Sequence, residues 1–464
     1  MTDDDLLNAF EAFQHRVGLI GLIDHHGRAG NGFVLSIFDQ HPEVLTCPWM
    51  HYDYTYAMEF LGMSNSYPSS LVRSIWPQKA YYRYIYNELS PEMAAALVKP
   101  GGDPGAPVNR EEVRRVFDLI VEQTDVMTRK QLIQASYFSY ALGVGRDLQK
   151  IKYIMTSSAV SLRTETPLTG FQGRMIDFMA EDFEDLKLVC LVRDPRAQFA
   201  STYHQFINTR GNSYGIFPGN YFSEFIRALE LDLRWDSGCI FMHFLSYMAS
   251  ASRTVYRKLA QYADRAYIVR NEDLNLNFVP TMEKICRWFN IHVLDSWKSN
   301  AYEPTMVGRP WRGTGAYNSR YQTVTNGPLE NDPDHVANRI TGPNAYVTRR
   351  WRSRLKRNEI ELMEYLFCDE LRFHGYDFYL PSKKRRSINT LLTRLLKPFS
   401  GEWPTWKWLL KGKEIGAAVL AQRLWYVLCF LPFYVLSRLR FLSIVFNYKL
   451  FQLDHIVQVK VPKT

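Results

Sequence analysis

The chain has 464 residues, of which 46% are hydrophobic and 22% charged, and its formal net charge at pH 7 is +9. This balance excludes a disordered, collagen-like or small disulfide-stapled protein and predicts a globular chain long enough for two or three units. The six cysteines are scattered singly, without a CxxC pair, so we expect reduced core thiols and no metal site. The acidic start, Met1–His15, does not resemble a secretory signal, and we therefore expect a cytoplasmic protein.

The first distinctive segment changes from strand to loop to helix. Val17–Ile23 is a short apolar run with β-branched residues, typical of a buried strand in a parallel sheet. Asp24–Gly32 then brings three glycines, one arginine and two histidines, and apolar residues return at helical spacing from Phe33. A glycine-rich loop that opens a helix presents unpaired backbone N–H groups to an anion. The pattern therefore predicts a phosphate or sulfate site.

Two familiar nucleotide-binding loops are excluded by the residues of this loop. Gly30 is followed by Asn31 and Gly32 rather than by Lys and Ser or Thr, so the Mg²⁺-binding hydroxyl of a nucleoside-triphosphate P-loop is missing. The glycines at 27, 30 and 32 also miss the GxGxxG spacing of a dinucleotide fold. Arg28 is then the fixed cation of an anion loop, and an ordinary βα turn remains the alternative.

A second strand and turn lie further along the chain. Leu188–Val192 is an apolar run, Arg193–Arg196 is a charged turn containing Pro195, and a helical pattern follows. Arg193 stands at the predicted strand end, and Ser201 lies eight residues later, two turns into the helix. We predict that these two side chains meet on one phosphate, the arginine through its charged fork and the serine through its hydroxyl.

These motifs resemble those of the sulfotransferase superfamily that uses 3′-phosphoadenosine 5′-phosphosulfate (PAPS). The loop Arg28-Ala29-Gly30-Asn31-Gly32 is similar to the family's Arg-Ser-Gly-Thr/Ser-Thr pattern, although three of its positions lack the usual hydroxyl residues. The second turn, with its serine, is similar to the family's Arg-Asp-Pro-Arg motif. Two further segments resemble the His-Pro that follows the family's first helix and a strand that ends in Tyr-Glu-Asp-Leu: Gln40–Val44 and Tyr267–Leu274.

The resemblance implies an α/β fold with a P-loop-like parallel sheet flanked by helices, and an enzyme that moves a sulfuryl group from PAPS to a hydroxyl acceptor. The first loop is then expected to hold the 5′-phosphosulfate, and the pair Arg193 and Ser201 is expected to hold the 3′-phosphate. The late loop, Glu303–Tyr321, is expected to clasp the nucleotide. No metal is expected. The residues expected to bind the donor are Gly27, Arg28, Ala29, Gly30, Asn31, Gly32, Arg193, Ser201, Arg309, Trp311 and Arg312.

Two catalytic roles follow from the same resemblance. Arg28 is expected to neutralise the charge that develops on the leaving phosphate. A general base must also deprotonate the acceptor hydroxyl, and the family's bases are His or Glu residues near the first loop. We predict His51 for this role. The alternatives that the sequence leaves open are Asp53, Glu59, His25 and His26.

The end of the chain differs in composition from the rest. Trp351–Tyr376 has the periodicity of one amphipathic helix, so we predict a catalytic domain over residues 1–381 and a helical extension over 382–464. The extension carries fifteen Lys and Arg against three Asp and Glu, interleaved with aromatic residues. Its apolar run, Leu424–Leu436, is shorter than the roughly 20 residues of a membrane span.

We therefore expect the extension to hold the enzyme on an anionic membrane surface, on the cytoplasmic face, with packing on the catalytic core as the alternative. Nucleic acid is not expected as a partner, because the basic segment shows no nucleic-acid-binding motif. The acceptor is expected to be a hydroxyl, and the basic aromatic extension suggests a glycan or glycolipid.

Two other functions remain open at this point. One is a membrane-associated protein that binds a nucleotide or anion on the same fold without chemistry, which the altered loop residues suggest. The other is a kinase of P-loop ancestry. A requirement for Mg²⁺ distinguishes the kinase, because the resemblance implies sulfuryl transfer without a metal.

Overall fold

The protein's structure is a computed structural model, and it describes residues 2–24, 28–47, 53–78, 108–159, 171–201, 238–299, 301–306, 308–310, 342–381, 387–396, 409–410 and 417–449. The strands are β1 (Gly18–Asp24), β2 (Val44–Thr46), β3 (Ser66–Pro68), β4 (Val126–Thr128), β5 (Tyr153–Ala159), β6 (Lys187–Val192), β7 (Ala266–Arg270), β8 (Thr305–Met306) and β9 (Arg309–Pro310).

The helices are α1 (Asp3–Arg16), α2 (Asn31–Phe38), α3 (Asp53–Tyr56), α4 (Ser69–Ile75), α5 (Arg110–Glu122), α6 (Arg129–Gly143), α7 (Phe171–Asp182), α8 (Gly238–Gln261), α9 (Asn271–Leu276), α10 (Phe278–Phe289), α11 (Ala345–Arg349), α12 (Arg357–Leu366), α13 (Cys368–Phe373), α14 (Ile388–Leu396) and α15 (Ala417–Lys449). A π-helical stretch, Ala57–Leu61, continues α3. Another helical stretch begins directly after β6 and covers residues 195–201.

Five strands form a parallel sheet in the order β2-β5-β1-β6-β7. β1 lies at the centre, paired with β5 on one side and with β6 on the other. The remaining described strands form two short antiparallel pairs, β3 with β4 and β8 with β9. The parallel sheet and its flanking helices confirm the predicted α/β class.

Side chains of β1 alternate between the two faces of the sheet, as the pleat of a strand requires. Leu19 and Ile23 pack into an apolar cluster with α1, α5, α6 and α7. Ile20 and Leu22 pack into a second cluster on the other face, with α2 and α10. β1 is therefore buried on both faces, which explains why its sequence is a continuous apolar run rather than an alternating one.

The parallel arrangement determines where the two predicted motifs lie. All five strands have their carboxyl ends at one edge, so the segments that leave β1, β6 and β7 emerge side by side. These segments begin after Asp24, Val192 and Arg270. Ligands of open α/β sheets bind in the crevice at this edge.

The predicted helix Trp351–Tyr376 is interrupted in the structure. It begins as a 3₁₀ turn, Arg350–Ser353, and continues as α12 and α13. Lys356 is extended, with φ −76° and ψ 153°, and its backbone N–H donates to Glu359 Oε2 at 2.7 Å. A new helix starts at this point. Phe367, with φ −97° and ψ 20°, separates the last two helices. Periodicity alone did not reveal these breaks, because the apolar residues keep their spacing across them.

α15 is a single helix that extends well beyond the apolar run Leu424–Leu436 at both ends and passes through Pro432. Its inner side contributes Phe430, Phe441 and Val445 to a third apolar cluster, together with residues of α8, α12, α14 and the helical stretch 195–201. Within the described ranges, no helix has the length and apolar character needed to cross a bilayer. The division of the chain at residues 381 and 382 stays a prediction.

Candidate functional site

The first loop has the backbone geometry of an anion site. Arg28 and Gly30 both have positive φ angles, 63° and 120°, and Gly30 is the N-cap residue of α2. No side chain from the described residues caps this end of the helix. Its first backbone N–H groups therefore face outward at the positive end of the helix dipole, where an anion is favoured.

The structure brings Arg28, Arg193 and Ser201 together at the carboxyl edge of the sheet. Arg28 Nε donates to Ser201 Oγ at 3.2 Å, and Arg193 Nη1 donates to the backbone oxygen of Arg28 at 3.0 Å. Arg193 Nη2 also donates to the backbone oxygen of Val347, just before the end of α11, at 3.0 Å. Two guanidinium groups and a hydroxyl thus lie beside the amino end of α2, as an oxyanion site requires.

Arg196, three residues after Arg193 and within the helical stretch 195–201, has a different role from Arg193. Its side chain is only 2% exposed and forms a fork with Asp194, at 2.9 and 2.7 Å, and an ion pair with Glu364. The guanidinium also lies 4.3 Å from the ring centroid of Trp351. Burial alone would lower its pKa, but the two carboxylates raise it. Arg196 therefore fixes the turn to α12 rather than binding a ligand.

Glu272, in the helix α9 that follows the neighbouring strand β7, supports the same turn. Its Oε1 accepts a hydrogen bond from the backbone N–H of Asp194 at 3.0 Å, and its Oε2 accepts one from the Tyr376 hydroxyl at 2.8 Å. Burial, with the nearby Asp194, raises the pKa of Glu272. The segment Tyr267–Leu274, recognised in the sequence only by its likeness to a family motif, thus holds the backbone that carries Arg193.

Two buried hydrogen-bonded groups lie behind the first loop. Asn31 Nδ2 donates to Ser157 Oγ of β5 at 2.8 Å. Asp53 is buried, and its Oδ2 accepts hydrogen bonds from Tyr137 at 3.1 Å and Thr156 at 2.8 Å. Nothing in the sequence pointed to Tyr137, Thr156 or Ser157, because their partners are more than eighty residues away along the chain.

Several predicted site residues cannot be placed. Arg309 belongs to β9 and Glu59 to the π-helical stretch, but their side chains are not among those described. No group of three His, Cys, Asp or Glu side chains able to hold a metal ion occurs within the described residues. The predicted site residues that lie outside the described residues are Gly27, His25, His26, His51, Trp311 and Arg312.

The fold and the site together define an α/β protein in which the loops after β1 and β6 bring two arginines and a serine together at the carboxyl edge of a parallel sheet. A family model described as "Sulfotransferase domain" matches residues 175–314, a range that includes Arg193, Ser201 and the strand β7. This match covers less than a third of the chain, and with the two motifs it supports a relationship to the PAPS-dependent sulfotransferase superfamily and an enzyme of that class. PAPS is the co-substrate of this superfamily in general.

Two solved structures are also similar to the chain. The sulfotransferase domain from the curacin biosynthetic pathway is 12% identical, with a TM-score of 0.41, and the match covers 78% of this chain and 99% of that domain. The sulfotransferase domain from the Synechococcus PCC 7002 olefin synthase is 16% identical, with a TM-score of 0.34, and the match covers 79% of this chain and 97% of that domain. The chain has no significant sequence match among curated proteins. The similarity to sulfotransferases therefore rests on the domain match over residues 175–314 and on the motifs.

Proposed function

We propose that this sulfotransferase moves a sulfuryl group from PAPS to a hydroxyl of a glycan or glycolipid at an anionic membrane surface. The observation that carries the donor assignment is the meeting of Arg28, Arg193 and Ser201 beside the amino end of α2. Two cations and a row of backbone N–H groups match a ligand with phosphate groups at two positions.

Each group has its own part of the donor to bind. The loop Gly27–Gly32 and Arg28 hold the 5′-phosphosulfate, and Arg193 with Ser201 holds the 3′-phosphate. The present bonds from the two arginines to Ser201 and to backbone oxygens keep these side chains oriented toward one another. To the late-loop residues Arg309, Trp311 and Arg312 we assign the remaining contacts to the nucleotide, as the resemblance implies.

The chemical step is an in-line transfer. The acceptor oxygen forms a bond to sulfur while the bond from sulfur to the 5′-phosphate oxygen breaks, and adenosine 3′,5′-bisphosphate leaves. Arg28 stabilises the charge on the leaving phosphate, and His51 accepts the proton of the acceptor hydroxyl. Asp53 suits this base role less well, because it is buried and its Oδ2 already accepts bonds from Tyr137 and Thr156.

Calorimetry with Arg193→Ala tests the donor assignment. We expect this substitution to weaken binding of adenosine 3′,5′-bisphosphate by about ten- to hundredfold, because a charge-assisted contact is lost. Binding of adenosine 5′-phosphosulfate, which has no 3′-phosphate, should change far less. Arg287→Ala removes an exposed arginine from α10 and serves as the matched control. Equal losses for both ligands would contradict the assignment.

The membrane proposal depends on where exposed apolar side chains are concentrated. Of the sixteen large apolar side chains that are exposed in the described part of the chain, thirteen lie between Ile388 and Phe446. On α15 they follow helical spacing, so that Leu424, Leu428, Leu431, Val435 and Leu439 form one stripe beside the packed side. The surfaces of ordinary soluble proteins expose single apolar residues, and a contiguous apolar stripe of this length indicates an interaction surface.

An anionic lipid surface fits this stripe better than a second protein does. The extension has a strong excess of Lys and Arg, and no Asp or Glu occurs from Ile415 to Leu453. Arg423 and Arg438 donate to the backbone oxygens of Leu409 and Leu395 inside the extension, so the attraction to lipid must come from its other basic residues. Apolar insertion and positive charge then act together, as in helices that lie in the plane of a membrane.

Co-sedimentation with vesicles tests this surface. Full-length protein should pellet with vesicles of phosphatidylcholine and phosphatidylserine more than with phosphatidylcholine alone, and salt should weaken the binding. The double substitution Leu428→Asn and Leu431→Asn should lower binding at least tenfold, because two inserted leucines are lost. Leu276→Asn, at an exposed leucine of α9, is the control. If the protein does not bind vesicles, and the same two substitutions instead dissociate a dimer in sedimentation velocity, the stripe is an interface between two copies of this chain.

The acceptor is tested separately. Mass spectrometry of a pool of glycans and glycolipids incubated with PAPS and the enzyme should reveal a mass increase of one sulfuryl group in a product. A product that carries the sulfuryl group on a small soluble molecule, with glycans and glycolipids unmodified, would contradict the proposed acceptor class but leave the donor assignment intact.

A further inference from the structure

Asn271 lies against the first loop, although it comes from a distant part of the sequence. It is the first residue of α9, directly after β7, and its side chain is only 3% exposed. A Cβ atom added to Gly30 would stand 2.3 Å from Asn271 Nδ2. Gly30 is therefore required for two reasons, its φ of 120° and the closeness of this amide.

A chain of hydrogen bonds fixes which end of the Asn271 amide faces Gly30. The backbone N–H of Asn344 donates to Asn275 Oδ1 at 3.0 Å, and a backbone N–H is always a donor. The other end of the Asn275 amide, Nδ2, must then donate, and it does so to the backbone oxygen and to Oδ1 of Asn271, at 2.8 and 3.2 Å. Oδ1 of Asn271 is therefore the acceptor, and its NH₂ group faces the loop.

This NH₂ group has no acceptor among the residues that the structure describes. The side chain of Asn271 is only 3% exposed, and a donor without an acceptor in such a side chain usually has a functional reason in native proteins. The group lies beside Gly30 at the uncapped amino end of α2, where an anion is favoured. An oxyanion bound there satisfies the amide and the helix end at the same time.

We propose that Asn271 donates a hydrogen bond through Nδ2 to an oxygen of the 5′-phosphosulfate group held by the first loop. This inference rests on the proposed function and adds a binding residue to the donor site. Asn275 and Asn344 act as positioning residues, because they orient the amide without facing the loop. Asn344 is the N-cap residue of α11, and the backbone oxygen of Val347 in that helix accepts from Arg193. The segment Asn344–Val347 thus orients two groups of the proposed donor site, Asn271 through Asn275 and Arg193 directly.

The substitution Asn271→Asp tests the inference, because it keeps the size of the side chain and replaces the donor with an anionic oxygen. Calorimetry would compare adenosine 3′,5′-bisphosphate with adenosine 3′-monophosphate, which lacks the 5′-phosphate. We expect Asn271→Ala to weaken binding of the bisphosphate by about tenfold, because the hydrogen bond is lost. Asn271→Asp should weaken it by about a hundredfold, because the aspartate also repels the 5′-phosphate. Binding of the monophosphate should change less than twofold.

Asn277→Asp places the same charge at an exposed asparagine six residues further on and should leave both affinities unchanged. Thermal unfolding of each variant shows whether it remains folded, and Asn271→Ala keeps the test valid if the aspartate variant unfolds. Unchanged bisphosphate binding in the folded variants, or an equal loss for both ligands, would overturn the role of Asn271. Failure of the unaltered protein to bind the bisphosphate would overturn the proposed function, and the inference with it.

Discussion

At the scale of single residues, Arg28 is the centre of the proposed donor site. Its φ of 63° is unusual for a residue with a side chain, and such angles persist only where neighbouring contacts hold them. Arg193 binds the backbone oxygen of Arg28, and Ser201 accepts from its side chain. The backbone therefore directs the Arg28 guanidinium toward Ser201 of the second motif.

Arg28→Ala should lower kcat with PAPS by on the order of 10²–10³, because the charge that it meets is largest in the transition state. Affinity for adenosine 3′,5′-bisphosphate should fall much less. Steady-state kinetics and calorimetry on the same preparation separate the two effects, with Arg287→Ala as the control. A loss of affinity with unchanged kcat would show that Arg28 binds the donor without assisting the transfer.

At the scale of elements, the amino edge of the sheet is held by a charged cluster that is remote from the site. Glu43, just before β2, forms an ion pair with Lys152, just before β5, at 2.6 Å. It also accepts from the backbone N–H of His292, which follows α10, at 2.6 Å. Burial alone would raise the pKa of Glu43, but the hydrogen bonds from Lys152 and His292 outweigh it and lower the pKa to about 2.

Glu43→Gln should therefore destabilise the fold by about 1–3 kcal/mol at neutral pH, because a carboxylate bonded to charged and backbone donors is lost. A lowered pKa means that this stability is complete above the ordinary value of 4.5 and is lost as the pH falls toward 2. Denaturant unfolding of both proteins at several pH values measures the difference. We expect it to shrink between pH 4.5 and 2, and a difference that stays constant would contradict the role of the ion pair.

At the scale of the whole molecule, the second motif is joined to the last part of the chain. Ala197 and Phe199, in the helical stretch that contains Ser201, share an apolar cluster with Phe430 and Phe441 of α15. Removal of the extension would uncover this cluster beside the donor site. Substitutions on the outer stripe of α15 therefore test the membrane proposal more cleanly than a truncation after residue 381, because they leave the inner side of the helix packed.

The same organisation explains why the extension is more than a basic tail. Its inner side stabilises the helical stretch that carries Ser201, and its outer side presents apolar residues to the surroundings. An enzyme held on a membrane through this stripe would keep its donor site in a fixed relation to the lipid surface. That relation suits an acceptor hydroxyl carried by a glycolipid.

The sequence by itself determined β1, β6 and the loops that follow them. An apolar run, a glycine-rich or proline-containing turn and a helical pattern are local signals, and the buried strands Gly18–Asp24 and Lys187–Val192 agree with them. The residues Arg28, Arg193 and Ser201 could be predicted for the same reason, because each stands at a fixed position relative to a strand end. The parallel sheet then brings those ends to one edge.

Only the tertiary structure decided which further residues support the site. Asn271 faces Gly30, and Glu272 meets Tyr376, across 241 and 104 positions of the chain, and no local pattern predicts contacts between such distant residues. The apolar run of α15 likewise did not show which of its sides is buried, because leucines occur all around the helix. Packing against the helical stretch 195–201 and α8 made that choice, since burial depends on what lies opposite a side chain and not on the side chain alone.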